Sequence, residues 1–258
     1  MIRFAKHFGF VLMAGSLIAK AQTPPYANTV VAGSQMSVEA NPVAQVRENR
    51  SWEYGPFVNY GNGVGGDKRS QYRFLWAGFQ LSKPLSPVVH SRMISGQFEF
   101  GGSIMPLWQS YTPAPHLQDY TCISPTSGLP YKCPLLVGGG TFRGVSLMPV
   151  ILRWNFFTNS QRIQPWFQGA GALIYTTHKF PPNVESTPTV NGVPGIDGGT
   201  CVWNFAPQGG FGIHYFTRAK RSIDLGVNGV HISSASLGDR NPGVNASVQV
   251  QLGYTFWK

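Results

Sequence analysis

The chain is short of charge. Only 12% of its 258 residues are Asp, Glu, Lys or Arg, about half the share found in ordinary soluble domains. Acid is scarcer than base, with ten Asp+Glu against 20 Lys+Arg and a net charge of +10. Beyond residue 21 no apolar run reaches the length that a membrane-crossing helix needs, which excludes transmembrane helices. Helical periodicity is missing as well. Cysteine is limited to three residues, with no C-x-x-C pair and no clustered histidines. Nothing in that set calls for a metal or another cofactor. Lys68-Arg69 and Lys220-Arg221 are isolated basic pairs, so the excess of base does not form a nucleic-acid patch.

What is present is glycine (31 residues) and aromatics (13%). That mix suits a transmembrane barrel, which needs many turns and aromatic girdles. The N-terminus reads as a secretory signal peptide over residues 1–21. Arg3, Lys6 and His7 form its basic start, Phe8 to Ile18 its apolar run, and Ala19-Lys20-Ala21 its small-residue cleavage site. Its removal takes three of the 20 Lys+Arg and no acid, leaving 17 minus 10, or +7. A basic exported chain suits an anionic partner such as lipid phosphate. Residues 22–50 are polar and read as irregular or periplasmic. Cys122 and Cys133 share a Pro/Gly-rich stretch and can close a small disulfide loop in an oxidising compartment, with Cys201 left over. Spacing alone leaves the pairing open. His90, His116, His178 and His214 are scattered and read as solvent-facing or loop residues.

Eight segments have strand character: 51–62, 72–84, 95–110, 141–157, 163–179, 201–216, 222–234 and 245–257. Side chains alternate faces along a strand. In the fourth segment Met148, Val150, Leu152, Trp154 and Phe156 share a face against Arg153 and Asn155. In the sixth Phe211, Ile213 and Tyr215 oppose Gly212 and His214. In the last Val248, Val250, Leu252, Tyr254 and Phe256 oppose Ser247, Gln249, Gln251 and Thr255. Alternation alone also fits a soluble sandwich; the loops distinguish the two. Long connections near 111–140 and 180–200 alternate with short ones at 158–162 and 217–221, as in outer-membrane barrels with short periplasmic turns, although the connection after the second strand, with Pro84 and Pro87, is longer than that pattern wants. The fold class is therefore all-β, an eight-stranded antiparallel transmembrane β-barrel of the bacterial outer membrane over 51–258. Both termini are then periplasmic, and the loop after the seventh strand is external.

That seventh strand carries an anomaly. Ile223, Leu225 and Val227 form its apolar row, with Ser222, Asp224 and Asn228 on the other face, and the apolar row continues into His231 and Ser233. Facing lipid, this is a base and a hydroxyl nucleophile presented to a membrane. Their Cβ atoms are roughly 6.5–7 Å apart by the strand rise, within reach of a leaning imidazole.

His231-Ile232-Ser233-Ser234-Ala235, then Asn241-Pro242-Gly243-Val244-Asn245 and the closing Leu252-Gly253-Tyr254-Thr255-Phe256, resemble the lipid A 3-O-deacylase (PagL-type, acyloxyacyl hydrolase-like) family. Residues 165–171 and 204–210 are similar to it too, and the resemblance runs over roughly 140–258. It implies an eight-stranded outer-membrane barrel with a serine esterase site on its lipid-facing exterior. Carried over by position, Ser233 matches the nucleophile, His231 its base, and Asn241 an asparagine of the oxyanion hole. The family's third member, a glutamate fourteen residues after the histidine, is here Asn245, and the asparagine that commonly follows the serine is here Ser234. Asn245 is the expected orienter of His231, in preference to Asp239 in the turn 238–242. By parity Asn245 belongs to the row of Ser247 and Gln249, so meeting His231 requires a one-residue bulge near Ala246-Ser247. The implied activity is hydrolysis of the 3-O-linked acyl chain of lipid A in the outer leaflet. The rival readings are a non-catalytic structural or adhesion barrel, a lipid A acyltransferase, and, weakest, a soluble secreted β-protein.

Overall fold

The computed structural model describes residues 41–65, 71–91, 94–111, 116–137, 141–180, 201–235, 237 and 245–258. The expected signal peptide, the loop 181–200, Asp239 and Asn241 lie outside them. Eight strands close an antiparallel barrel in the order β1-β10-β9-β8-β7-β6-β3-β2. They are β1 (Glu53–Val64), β2 (Arg73–Pro84), β3 (Gly96–Tyr111), β6 (Thr141–Phe156), β7 (Ile163–Phe180), β8 (Cys201–Arg218), β9 (Arg221–Ile232) and β10 (Asn245–Trp257). Each falls within a few residues of its expected segment. Closure of β1 onto β10 leaves no sheet edge with unpaired backbone groups, the condition for crossing a bilayer with strands.

Burial is inverted relative to a soluble protein. On β10 Ser247, Gln249 and Gln251 are buried while Val248, Val250 and Leu252 are exposed. Phe211 on β8 is 65% exposed next to buried His214. An apolar outside and a polar inside are stable only where the outside meets hydrocarbon.

The lumen is filled by side chains, as expected for eight strands. Its outer half is apolar, built on Phe74, Trp76, Met105, Trp108, Ile174 and Phe180. Its periplasmic half is a polar network around Arg153. That guanidinium donates to both Glu53 carboxylate oxygens at 2.8 and 2.9 Å, to Glu99 at 3.1 Å and to Gln168. Met148 departs from the expected pattern: it is buried in the lumen, not outside with Val150 and Leu152. A register shift between Leu147 and Val150 in the β6–β7 ladder is the cause, since one extra residue flips the alternation.

Two elements lie within stretches expected to be irregular or loop. Within 22–50, α1 (Pro42–Glu48) forms a short helix. Asn41 caps it by accepting the Ala44 N–H at 3.2 Å, and proline starts it. Val43 and Val46 pack on Phe216 and Trp257, covering the periplasmic end of the lumen. The Arg47 guanidinium lies 3.9 Å from the centre of the Phe157 ring, and its burial lowers its pKa to about 10. Within the long external connection, β4 (His116–Ile123) and β5 (Pro130–Val137) form a two-stranded sheet of their own. Cys122 and Cys133 are joined there by a disulfide, and Cys201 is free.

Candidate functional site on the barrel exterior

Strand β9 sorts its side chains as the alternation requires. Ser222, Asp224, Asn228 and Ile232 are buried in the lumen; Leu225 is exposed on the outside, and His231 shares its parity. The β8–β9 register runs past the strand end to an isolated bridge between Phe205 and Ser233. The two exchange backbone hydrogen bonds, Phe205 N–H to Ser233 O at 2.7 Å and Ser233 N–H to Phe205 O at 2.9 Å. Phe205 is an exposed exterior residue, so this rung belongs to the outer face. His231 and Ser233 thus stand two residues apart on the lipid-facing side, at the external end of β9.

The chain turns sharply after Ser233. Ala235 has φ +48°, a left-handed conformation that alanine rarely adopts. The Leu237 N–H donates to Ser234 O at 2.9 Å and closes the turn. This geometry aims the Ala235 N–H at the Ser233 hydroxyl oxygen, which accepts it at 3.1 Å. Strained backbone of this kind recurs at functional sites. Ser233 is only 8% exposed and Ser234 only 1%. Nδ1 of His231 is buried without a hydrogen-bond partner among the described residues.

The bulge expected near Ala246-Ser247 is absent. β9 and β10 pair without a shift from Asn245↔Ile232 through Ser247↔Val230 to Phe256↔Arg221. The residue opposite His231 is Ala246, and Asn245 stands opposite Ile232, a lumen residue. The regular ladder therefore does not bring Asn245 to the His231 rung.

Below the pair the outer surface loses its side chains. Gly169 pairs with Gly209, and Gly209 with Gly229, making one all-glycine rung across β7, β8 and β9. Gly171 pairs with Pro207 one rung nearer the pair. A Cβ on Gly169 or Gly171 would meet nothing within 4 Å, and one on Gly209 or Gly229 only a backbone oxygen at 3.8 Å. Packing within the protein does not demand glycine at these positions. The result is a shallow trough between the exposed rings of Phe167 and Phe211 on one side and Phe205 on the other.

A second histidine lies on the opposite face. His214, expected to be solvent-facing or in a loop, is buried in the lumen, with Nδ1 2.6 Å from Asp224 Oδ1. Asp224 also accepts from Ser222 at 2.8 Å and from Thr255. Glu53, His214 and Asp224 bring ligand atoms within 4.8 Å of one another, a spacing a metal could use. Arg153 already neutralises Glu53 there, and Asp224 is taken by His214, so the cluster is a satisfied ionic network. Its polar face was legible in the alternation of β6 and β9. The pairing of Glu53 with Arg153, 100 residues apart, was not.

No curated protein sequence matches the chain. Among solved structures it is similar to the outer membrane enzyme PagL, at 13% identity over 78% of this chain and 98% of that one, with a TM-score of 0.39. It is also similar to the outer membrane protein OprG from Pseudomonas aeruginosa, at 9% identity over 80% and 93% of the two chains, TM-score 0.33. The model of the lipid A 3-O-deacylase (PagL) family matches residues 127–255, half of the 258. That stretch contains β6 to β9, most of β10, the glycine rung and the His231–Ser233 pair, and the chain belongs to the lipid A 3-O-deacylase family.

Proposed function

We propose that the protein is an outer-membrane serine esterase that hydrolyses the 3-O-linked acyl chain of lipid A, with Ser233 as nucleophile and His231 as its base. One observation carries this reading: a histidine and a serine share an otherwise apolar, lipid-facing row at the outer-leaflet end of β9. Polar groups at that depth are costly unless they serve a purpose. Ser233 Oγ adds to the ester carbonyl carbon as its proton passes to His231. The bond to the sugar oxygen then breaks, and the imidazolium returns the proton to that oxygen. Water attacks the acyl-serine with His231 as base again, releasing the fatty acid and restoring Ser233.

The oxyanion needs N–H donors. The Ser233 N–H is committed to Phe205 O; the candidates are the Asn241 amide and the Ala235 N–H, which must turn from Oγ toward the oxyanion once Oγ has added to the carbonyl. The glycine trough lets an acyl chain lie against bare backbone directly below the pair. Asn245 holds the position of the family's acid, but its register argues against it as the partner of Nδ1. Asp239 is the competing acceptor. The deciding comparison is Asn245→Glu against Asp239→Asn. A rise in activity with the first supports Asn245, and a loss with the second supports Asp239.

The test is mass spectrometry of lipid A from a Gram-negative host expressing the wild type or Ser233→Ala. Loss of one 3-hydroxyacyl chain with wild type only is the expected result. Unchanged lipid A with a correctly folded wild type would remove the esterase reading. It would favour a non-catalytic barrel, the reading that the unpartnered His231 Nδ1 supports.

A further inference from the structure

The periplasmic ends of β7 to β10 carry a collar of exposed cations: Arg162, Arg218, Lys220, Arg221 and Lys258. Backbone bonds hold them close together. The Phe216 N–H donates to Arg162 O at 2.7 Å, and the Trp257 N–H to Lys220 O at 3.0 Å. Arg218 and Arg221 face each other directly across the β8–β9 ladder, where like charges destabilise the pairing. The acids of the described barrel strands do not relieve this. Glu53, Glu99 and Asp224 are buried in the lumen and engaged by Arg153 and His214. The collar is also set at a particular height. The Arg221 guanidinium lies 5.3 Å from the Phe256 ring centre, and Phe256 stacks on Tyr54 at 5.6 Å, on the lipid-facing side. Exposed Tyr54 and Tyr215 mark the aromatic belt of a membrane interface. On α1, which packs at the same end, the exposed acid is Glu48, so against five cations positive charge is in excess at that level and meets lipid headgroups.

We propose that this collar is a binding surface for the anionic headgroups of phospholipids in the periplasmic leaflet. It lies at the opposite end of β9 from His231 and Ser233, and it rests on the barrel's place in the outer membrane and not on its chemistry. Each cation near an anionic surface contributes roughly fivefold in affinity before salt screening.

The experiment uses the full barrel in mixed micelles of phosphatidylglycerol and phosphatidylethanolamine, with retained lipid counted by native mass spectrometry. The expected result is enrichment of phosphatidylglycerol on the order of tenfold, falling with salt. The variant Arg218→Gln/Lys220→Gln/Arg221→Gln should lose most of it, while Arg73→Gln/Arg143→Gln at the external end should keep it. Equal retention by wild type and the triple variant would overturn the proposal, as would equal loss in the external-end variant. Complete displacement by inorganic phosphate at matched ionic strength would make this a phosphate site and overturn the lipid assignment. Preferential retention on peptidoglycan, with no lipid preference, would do the same. If the triple variant fails to show the heat-modifiable gel shift of a folded barrel, the salt titration of the wild type decides: enrichment that does not fall with salt would sink the proposal.

Discussion

His214 and His231 lie on neighbouring strands and differ in which face they occupy. His214 points into the lumen, and its Nδ1 meets a carboxylate at 2.6 Å. His231 stands on the outer face, with a buried Nδ1 that has no partner among the described residues. The first is what a folded protein does with an imidazole it needs for stability: every polar atom is occupied. The second is an imidazole on the lipid-facing surface whose Nδ1 still lacks the orienting acceptor that a general base needs. A histidine's surroundings, not its residue type, separate the two roles. On the proposed reading, stability and chemistry fall to opposite faces of one sheet.

Substitutions should pull this comparison apart. The largest expected effect is on the outer face. Ser233→Ala or His231→Ala should lower deacylation at least about a thousandfold while leaving the thermal gel-shift midpoint almost unchanged. A stability loss as large as the one His214→Ala produces would break the comparison. On the inner face, Arg153→Met strands Glu53 and Glu99 without their counter-charge. It should cost about 3–5 kcal/mol of stability, read as a lower unfolding midpoint in urea, and activity should fall only in proportion to the folded fraction. Filling the trough is the intermediate case. Gly209→Leu should leave the unfolding midpoint in place and reduce kcat/KM about tenfold by blocking the acyl path, and unchanged kinetics would show that the trough is not used. The smallest effect is at the turn. Ala235→Gly relieves a left-handed alanine and should raise stability by up to about 1 kcal/mol. The same freedom should lower kcat if the Ala235 N–H must be held in place.

Much of the barrel was legible because a strand's alternation is a local property. The alternating rows of the sixth and last segments match what is buried in β8 and β10. Failures came where the ladder or the tertiary structure overrides the local rule. Met148 leaves its expected outer row because a bulge has no mark in the local alternation. Asn245 is the converse case: a bulge is expected there and the ladder is regular. α1 is seven residues long, too short for helical periodicity to register, although Asn41-Pro42 is a start signal. The alternation of the sixth segment sets His214 opposite the apolar row, but its pairing with Asp224 lies across a strand pair and has no local sign. The His231–Ser233 pair stood out for the converse reason: it breaks an apolar row, and that exception lies wholly within one strand.

The packed lumen has a consequence for the cell as a whole. Among the described residues, Arg153 and its carboxylates, the aromatic layer beyond them and α1 beneath fill the lumen with buried side chains. In a planar bilayer such a barrel should be electrically silent. A bacterium could then fill its surface with many copies and rework its outer leaflet while its permeability to antibiotics and bile stayed where the porins set it.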